Sequence, residues 1–165
     1  MQAKKICMIG DFAVGKTSLV ERYVNHHFSD GYLSTVGVSI KTRELTLLSG
    51  DQVKLVLWDI AGDDSIATMG HYLKGAAGYL LVADGTRRET LSSGINLQRQ
   101  TEEVLGCAPF VMMLNKSDLA DQWEMDRELV QSITSKGWPV LESSAKIDSG
   151  VDSAFQSLGE RIVAG

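Results

Sequence analysis

The sequence predicts an α/β fold built on a six-stranded, mostly parallel sheet with helices on both faces. Three observations predict it: apolar runs of strand length recur along the chain, helical stretches separate the later ones, and a glycine-bearing loop leads from the first run into the first helix. The first run, Lys4 to Ile9, ends in apolar residues, as a buried strand does. Ser18 to Asn25 follows, with Leu19, Val20, Tyr23 and Val24 at helical spacing. Val38 to Leu48 and Val53 to Asp59 flank the turn residues Ser49-Gly50-Asp51, which makes them an antiparallel hairpin. Further strands are expected at Gly78 to Ala83, Phe110 to Leu114 and Pro139 to Leu141. Thr86-Arg87-Arg88-Glu89 and Asp121-Gln122-Trp123-Glu124 have the form of capping boxes, opening helices that run to about Leu105 and Ser135. A last helix is expected over Val151 to Val163. In such a sheet ligands lie beyond the carboxyl ends of the strands, where every motif described below falls.

The 165 residues fit one domain, residues 1–165, with enough chain to bury a core without disulfides or metal staples. Hydrophobic residues at 44% and charged residues at 22% have the balance of a soluble globular protein. A net charge of −5 argues against broad nucleic-acid or anionic-membrane binding, which calls for a basic face. Cys7 and Cys107 are the only cysteines, so a reducing, cytoplasmic setting is expected rather than a disulfide framework. His26, His27 and His71 do not combine with them at metal-ligand spacing; the two adjacent histidines read as exposed helix-end residues. No apolar run approaches the roughly 18 residues of a membrane span, and Met-Gln-Ala-Lys-Lys is too polar for a signal peptide. Cys107 is the last cysteine, so no prenylated C-terminal anchor is expected in this chain, and a monomer is expected.

Gly10-Asp11-Phe12-Ala13-Val14-Gly15-Lys16-Thr17 has the spacing of a P-loop. Main-chain N–H groups around Ala13, Val14 and Gly15 would form an anion nest at a helix N-terminus, continued by Ser18, with Lys16 on the β and γ phosphates and Thr17 on Mg²⁺. A P-loop serves ATP and GTP alike, so the base is read elsewhere. Asn115-Lys116-Ser117-Asp118 follows a strand directly, and a carboxylate there accepts both the N1 and the N2 hydrogens of guanine. Adenine offers no such pair, and a buried acceptor left unpaired is costly, which disfavours an ATPase or kinase. Glu142-Ser143-Ser144-Ala145-Lys146 follows the last strand, where the Ala145 N–H would meet the guanine O6. Thr35 offers a second hydroxyl to Mg²⁺, Asp59 a carboxylate near it, and the Gly62 N–H a contact to the γ-phosphate. Taken singly, each string has a bland reading as a capping loop or a polar strand end. In order they describe a site whose two flanking loops depend on a third phosphate.

These residues together resemble the small GTPases of the Ras superfamily, most closely the Rab branch, over about Lys4 to Ile162. Rab-like wording stands in Ser34-Thr35-Val36-Gly37-Val38, Trp58-Asp59-Ile60-Ala61-Gly62, Thr86-Arg87-Arg88-Glu89-Thr90 and Asn115-Lys116-Ser117-Asp118-Leu119. The resemblance implies a P-loop NTPase small G domain that binds GTP and GDP with Mg²⁺. Effectors, exchange factors and activating proteins would then dock on the two switches, Phe28 to Val38 and Ile60 to Lys74. By position, Phe28 is similar to the aromatic set edge-on against guanine and Tyr32 to the switch tyrosine near the γ-phosphate. The implied base and phosphate contacts include Ser144 and Lys146. Trp58 and Tyr72 are similar to two members of the Rab effector triad, whose third position here is the aliphatic Ile40.

Two positions depart from the family. The glutamine that orients the attacking water is replaced by Asp63, shorter, anionic and no donor unless protonated. Phe12 and Ala13 stand where the family keeps at least one glycine, and Phe12 crowds the approach to the γ-phosphate. The expectation is intact binding through Lys16 and Thr17 with slow hydrolysis, Lys16 and Asp63 being the catalytic candidates. A constitutively GTP-loaded adaptor with negligible turnover stands beside it.

Overall fold

The structure is a computed structural model that describes residues 1–31, 37–61 and 66–165, with side chains of the last stretch from residue 70 onward. Strand β1 (Gln2–Gly10) ends in Ile6, Cys7, Met8 and Ile9, all buried, so both of its faces are covered. That is the signature of a central parallel strand. Helix α1 (Lys16–Asn25) follows, then the strands β2 (Val38–Thr46) and β3 (Gln52–Ile60) and helix α2 (Ile66–Leu73). The second half alternates β4 (Gly78–Asp84), α3 (Glu89–Leu105), β5 (Phe110–Asn115), α4 (Arg127–Thr134), β6 (Val140–Glu142) and α5 (Val151–Ala164). These six strands form one sheet in the order β2-β3-β1-β4-β5-β6, antiparallel only at β2–β3. The register pairs Met8 with Asp59, Gly10 with Val82 and Asp84 with Asn115, so the carboxyl ends of β1, β3, β4 and β5 reach one edge together.

Alternation along the strands sorts the core into two layers. Ile6, Met8, Leu80, Val82, Val111 and Met113 meet α1 and α5 through Leu19, Tyr23, Phe155 and Leu158. Cys7, Ile9, Leu81, Met112 and Leu114 face the other way and meet Leu73 of α2, Leu91 of α3 and Ile133 of α4. Each such burial stabilises the fold by roughly 1.5–3 kcal/mol before entropy is counted. Tyr23 of α1 stacks on Phe155 of α5 with ring centroids 3.8 Å apart, and Arg43 lies over the same ring at 4.0 Å. Burial pushes the Tyr23 phenol up to about 12.

Element boundaries correct the sequence reading where tertiary partners compete. β2 stops at Thr46 because the Leu47 N–H closes the turn on Asp51 O at 2.8 Å and the Leu48 N–H goes to Glu160 Oε1 at 2.6 Å. The expected capping box at Thr86 does not form. The Thr86 N–H and hydroxyl both donate to Asp84 Oδ1, at 2.9 and 2.7 Å, and α3 begins three residues later at Glu89 with no side-chain cap. The box at Asp121 fails likewise. Residues Ala120–Gln122 make a single 3₁₀ turn, while the Glu124 N–H binds Gly85 O and its carboxylate accepts from the Arg88 N–H. α4 starts instead at Arg127, capped by Asp126, whose Oδ1 accepts from the Leu129 N–H at 2.8 Å. β6 is Val140–Glu142, since Pro139 offers only a carbonyl, which accepts from the Met112 N–H.

Candidate nucleotide-binding site

The loop between β1 and α1 is held by its carbonyls. Phe12 O accepts from Arg87 Nη2 at 2.9 Å, Ala13 O from Lys116 Nζ at 3.0 Å and Val14 O from Asn115 Nδ2 at 3.0 Å. In a trans peptide the carbonyl and the following N–H lie on opposite edges. Pinning three successive carbonyls therefore turns the N–H groups of Ala13, Val14 and Gly15 to the other side, the arrangement that an anion nest requires. Gly15 enters α1 at φ 104°, and a Cβ there would stand 2.3 Å from Asn115 Nδ2. Gly10 has a similar reason, since a Cβ would meet Val82 O at 2.4 Å. Lys16 is buried and its ammonium lies along the loop, donating to Gly10 O at 2.8 Å and Asp11 O at 3.0 Å.

Thr17, on the first turn of α1, donates its hydroxyl to Asp59 Oδ2 at 2.7 Å. Asp59 is buried at the carboxyl end of β3, so the two oxygens meet beside the N-terminus of α1. A hydroxyl and a carboxylate in contact are hard oxygen donors, a set that fits Mg²⁺ rather than a softer metal. Tyr32, Thr35, Gly62 and Asp63 lie outside the described residues.

The segments after β5 and β6 complete a cavity of about 380 Å³ against the loop, bounded by Phe28, Asn115, Lys116, Asp118, Ala145 and Lys146, with Ala13 and Ser18 also lining it. Phe28, half-buried, packs on the α1–α5 core layer, which fixes its ring as a wall. Asn115 is buried and double-anchored, since its Oδ1 accepts from Ser143 Oγ at 3.2 Å while its amide holds Val14. Lys116 takes a left-handed backbone, φ 69°, at the corner where the chain leaves β5. Asp118 Oδ1 accepts from Ser144 Oγ at 2.7 Å, which ties the segments Asn115 to Asp118 and Glu142 to Lys146 together. At the rim, Lys146 reaches Asp30 at 3.8 Å.

Asp84 was not singled out by the sequence reading, although it ends β4 as Asp59 ends β3. Its buried carboxylate receives Thr86 on Oδ1 and, on Oδ2, Arg87 Nε at 3.0 Å and Lys116 Nζ at 2.9 Å. Burial pushes this carboxyl up, but the hydrogen bonds from Thr86, Lys116 and Arg87 prevail and hold it below its usual value. Arg87 and Lys116 are the two cations that pin the loop carbonyls, so one buried carboxylate orients both pins. A carboxylate at a parallel strand's end was the available signal.

The sequence profile of the Ras family matches residues 5–164. The chain belongs to the Ras family of small GTPases. Among relatives of this GTPase are Ras-related protein Rab-7L1 of Rattus norvegicus, 32% identical over 96% of the chain and 81% of the relative, and Ras-related protein Rab-10 of Caenorhabditis elegans, 34% identical over 97% and 81%. Ras-related protein Rab-8A of Bos taurus is 33% identical over 97% of the chain and 78% of its own length. Trp58 and Tyr72 approach with ring centroids 6.4 Å apart, and half-exposed Ile40 sits opposite Trp58 in the β2–β3 register. Lys5 Nζ lies 3.7 Å from the Trp58 ring centroid.

Proposed function

We propose that this Ras-family GTPase is a Mg²⁺-dependent guanine-nucleotide switch with slow intrinsic hydrolysis. The observation that carries the reading is the junction of phosphate loop and base box, where Asn115 and Lys116 hold the carbonyls of Val14 and Ala13 beside the cavity that Asp118 lines. In this reading the Ala13, Val14 and Gly15 N–H groups and Lys16 bind the β and γ phosphates, with Ser18 extending the nest. Asp118 takes the N1 and N2 hydrogens of guanine, Ala145 its O6, with Ser144 and Lys146 supporting that loop and Phe28 covering the ring. Tyr32 and Gly62 approach the γ-phosphate. Thr17, Thr35 and Asp59 hold Mg²⁺, which when bound neutralises phosphate charge.

Slow turnover follows from two side chains. Phe12 is 51% exposed on the loop and crowds the line of approach to the γ-phosphate. Asp63 stands where the family's glutamine orients water, and repulsion from the triphosphate opposes that task. Partner binding falls to Phe28 to Val38 and Ile60 to Lys74, where an effector, an exchange factor and an activating protein would dock. The protein would act as a cytoplasmic monomer.

The nucleotide that co-purifies tests the reading: retained GTP is expected, and either no guanine nucleotide or equal competition by ATP would sink it. Asp63→Gln is expected to raise single-turnover GTP hydrolysis. The second reading, a GTP-loaded adaptor without turnover, draws on the same Asp63. It predicts no rise in that assay, with nucleotide affinity intact and no response to activating proteins.

A further inference from the structure

We infer that Arg22 is a positioning residue for base recognition: from α1 it clamps the Ala145–Lys146 segment so that the Lys146 N–H is presented to the guanine O6 beside that of Ala145. The inference rests on the guanine reading given above. Arg22 does not line the cavity, yet Nε donates to Ala145 O at 2.7 Å and Nη2 to Lys146 O at 2.9 Å. Two adjacent carbonyls suit the rigid fork of a guanidinium, whereas an ammonium meets them as a point charge.

The consequence for the loop follows from peptide geometry. Holding Ala145 O toward α1 turns the Lys146 N–H to the opposite edge, and holding Lys146 O turns the Ile147 N–H likewise. The Ile147 N–H does donate on that side, to Ser144 Oγ at 3.2 Å. Ser144 Oγ in turn binds Asp118, so the clamp and the carboxylate reader meet at one hydroxyl. The third donor, Arg22 Nη1, reaches His26 O at 3.3 Å, at the left-handed residue that ends α1 two positions before Phe28. One side chain thereby sets one N–H of the edge that reads the base and the entry to the wall that covers it. The foot of the loop is braced separately, by the paired hydrogen bonds between Ser144 and Ser149. Loss of Arg22 therefore loosens the Lys146 N–H, while the Ala145 N–H stays held because Ser144 O, in the same peptide, accepts from the Ser149 N–H.

Analogues separate the two edges. 6-Thioguanosine diphosphate keeps N1–H and the 2-amino group but replaces O6 with a larger, weaker acceptor; inosine diphosphate keeps O6 and lacks the 2-amino group. Affinities of the full chain with Mg²⁺ are measured for GDP and both analogues, in wild type, Arg22→Lys and Arg22→Gln. Wild type is expected to penalise both analogues. Arg22→Gln should lose about five- to tenfold of the sulfur penalty and keep the inosine penalty within about twofold, the scale of one hydrogen bond. Arg22→Lys should recover part of the loss, and it guards against a Gln variant that fails to fold. Penalties that fall together, or weaker GDP binding with both ratios unmoved, would make Arg22 a structural tie only and overturn the inference. Wild type that penalises neither analogue would instead sink the guanine reading, and this inference with it.

Discussion

The two flanks of the phosphate loop differ in how they are built. On the base side, Ala13 and Val14 are held by Lys116 and Asn115, Asn115 is held by Ser143, and Asp118 by Ser144, a network of side chains with partners on both sides. On the opposite side, Phe12 is about half exposed and the chain beyond Asp59 leads to Gly62 and Asp63. The base flank is preorganised, so its binding energy is spent equally on ground and transition states. In the proposed reading the other flank carries the positions that orient water. On that reading affinity and turnover reside in different side chains, and one can change without the other.

The sharpest way to break this contrast is Asp118→Ala. It should weaken GDP binding by roughly 10²–10⁴, the worth of two hydrogen bonds to a carboxylate, measured by competition with a fluorescent GDP analogue. A loss under tenfold would deny the base flank its role.

Asp84→Asn comes next. Breaking a buried ion pair costs about 3–5 kcal/mol, but Arg87 and Lys116 are a third exposed, so about 2 kcal/mol of folding stability in urea is expected. The pH dependence has a definite sign. The Asp84 pKa is lowered in the fold, so its contribution is full above the ordinary 3.8 and is lost as pH falls through the depressed value. Wild type and Asp84→Asn should therefore converge in stability at acid pH.

Phe12→Gly sharpens the comparison from the other flank. Single-turnover hydrolysis should rise roughly tenfold with GDP affinity unchanged, since orientation of water contributes to rate and not to ground-state binding. Equal changes in both would merge the flanks. The smallest effect concerns the strand that feeds the loop. Burial pushes the Cys7 thiol up to about 11, whereas Cys107 is exposed, so one thiol per folded chain should react with maleimide at neutral pH and both after unfolding.

Much of the fold was legible because a parallel strand buried on both faces leaves an unbroken apolar run, as in β1, β4 and β5. Motifs were legible where chemistry follows a strand end directly, as Asn115 follows Leu114. Helix starts were less so. Thr86 and Glu124 satisfy the local capping pattern, yet Asp84 claims the first and Gly85 and Arg88 the second, partners that spacing alone does not reveal. Arg22 was invisible for the same reason. Local sequence shows a basic residue on the polar side of a helix, and its acceptors lie more than a hundred residues away.

The outward carbonyls of residues 12, 13 and 14 also resolve how a chain of net charge −5 would hold a polyanion. Every peptide is a dipole. With the negative ends capped by a guanidinium, an ammonium and an amide, the positive ends add inward along the same direction as the dipole of α1. In the proposed reading the attraction then comes from fixed dipoles at contact distance, together with Lys16 and Mg²⁺, rather than from a surface potential, and counterions screen contacts that short little. Ionic strength would thus leave the grip on phosphate nearly intact, while the long-range field of the acidic surface repels every polyanion that the loop does not enclose.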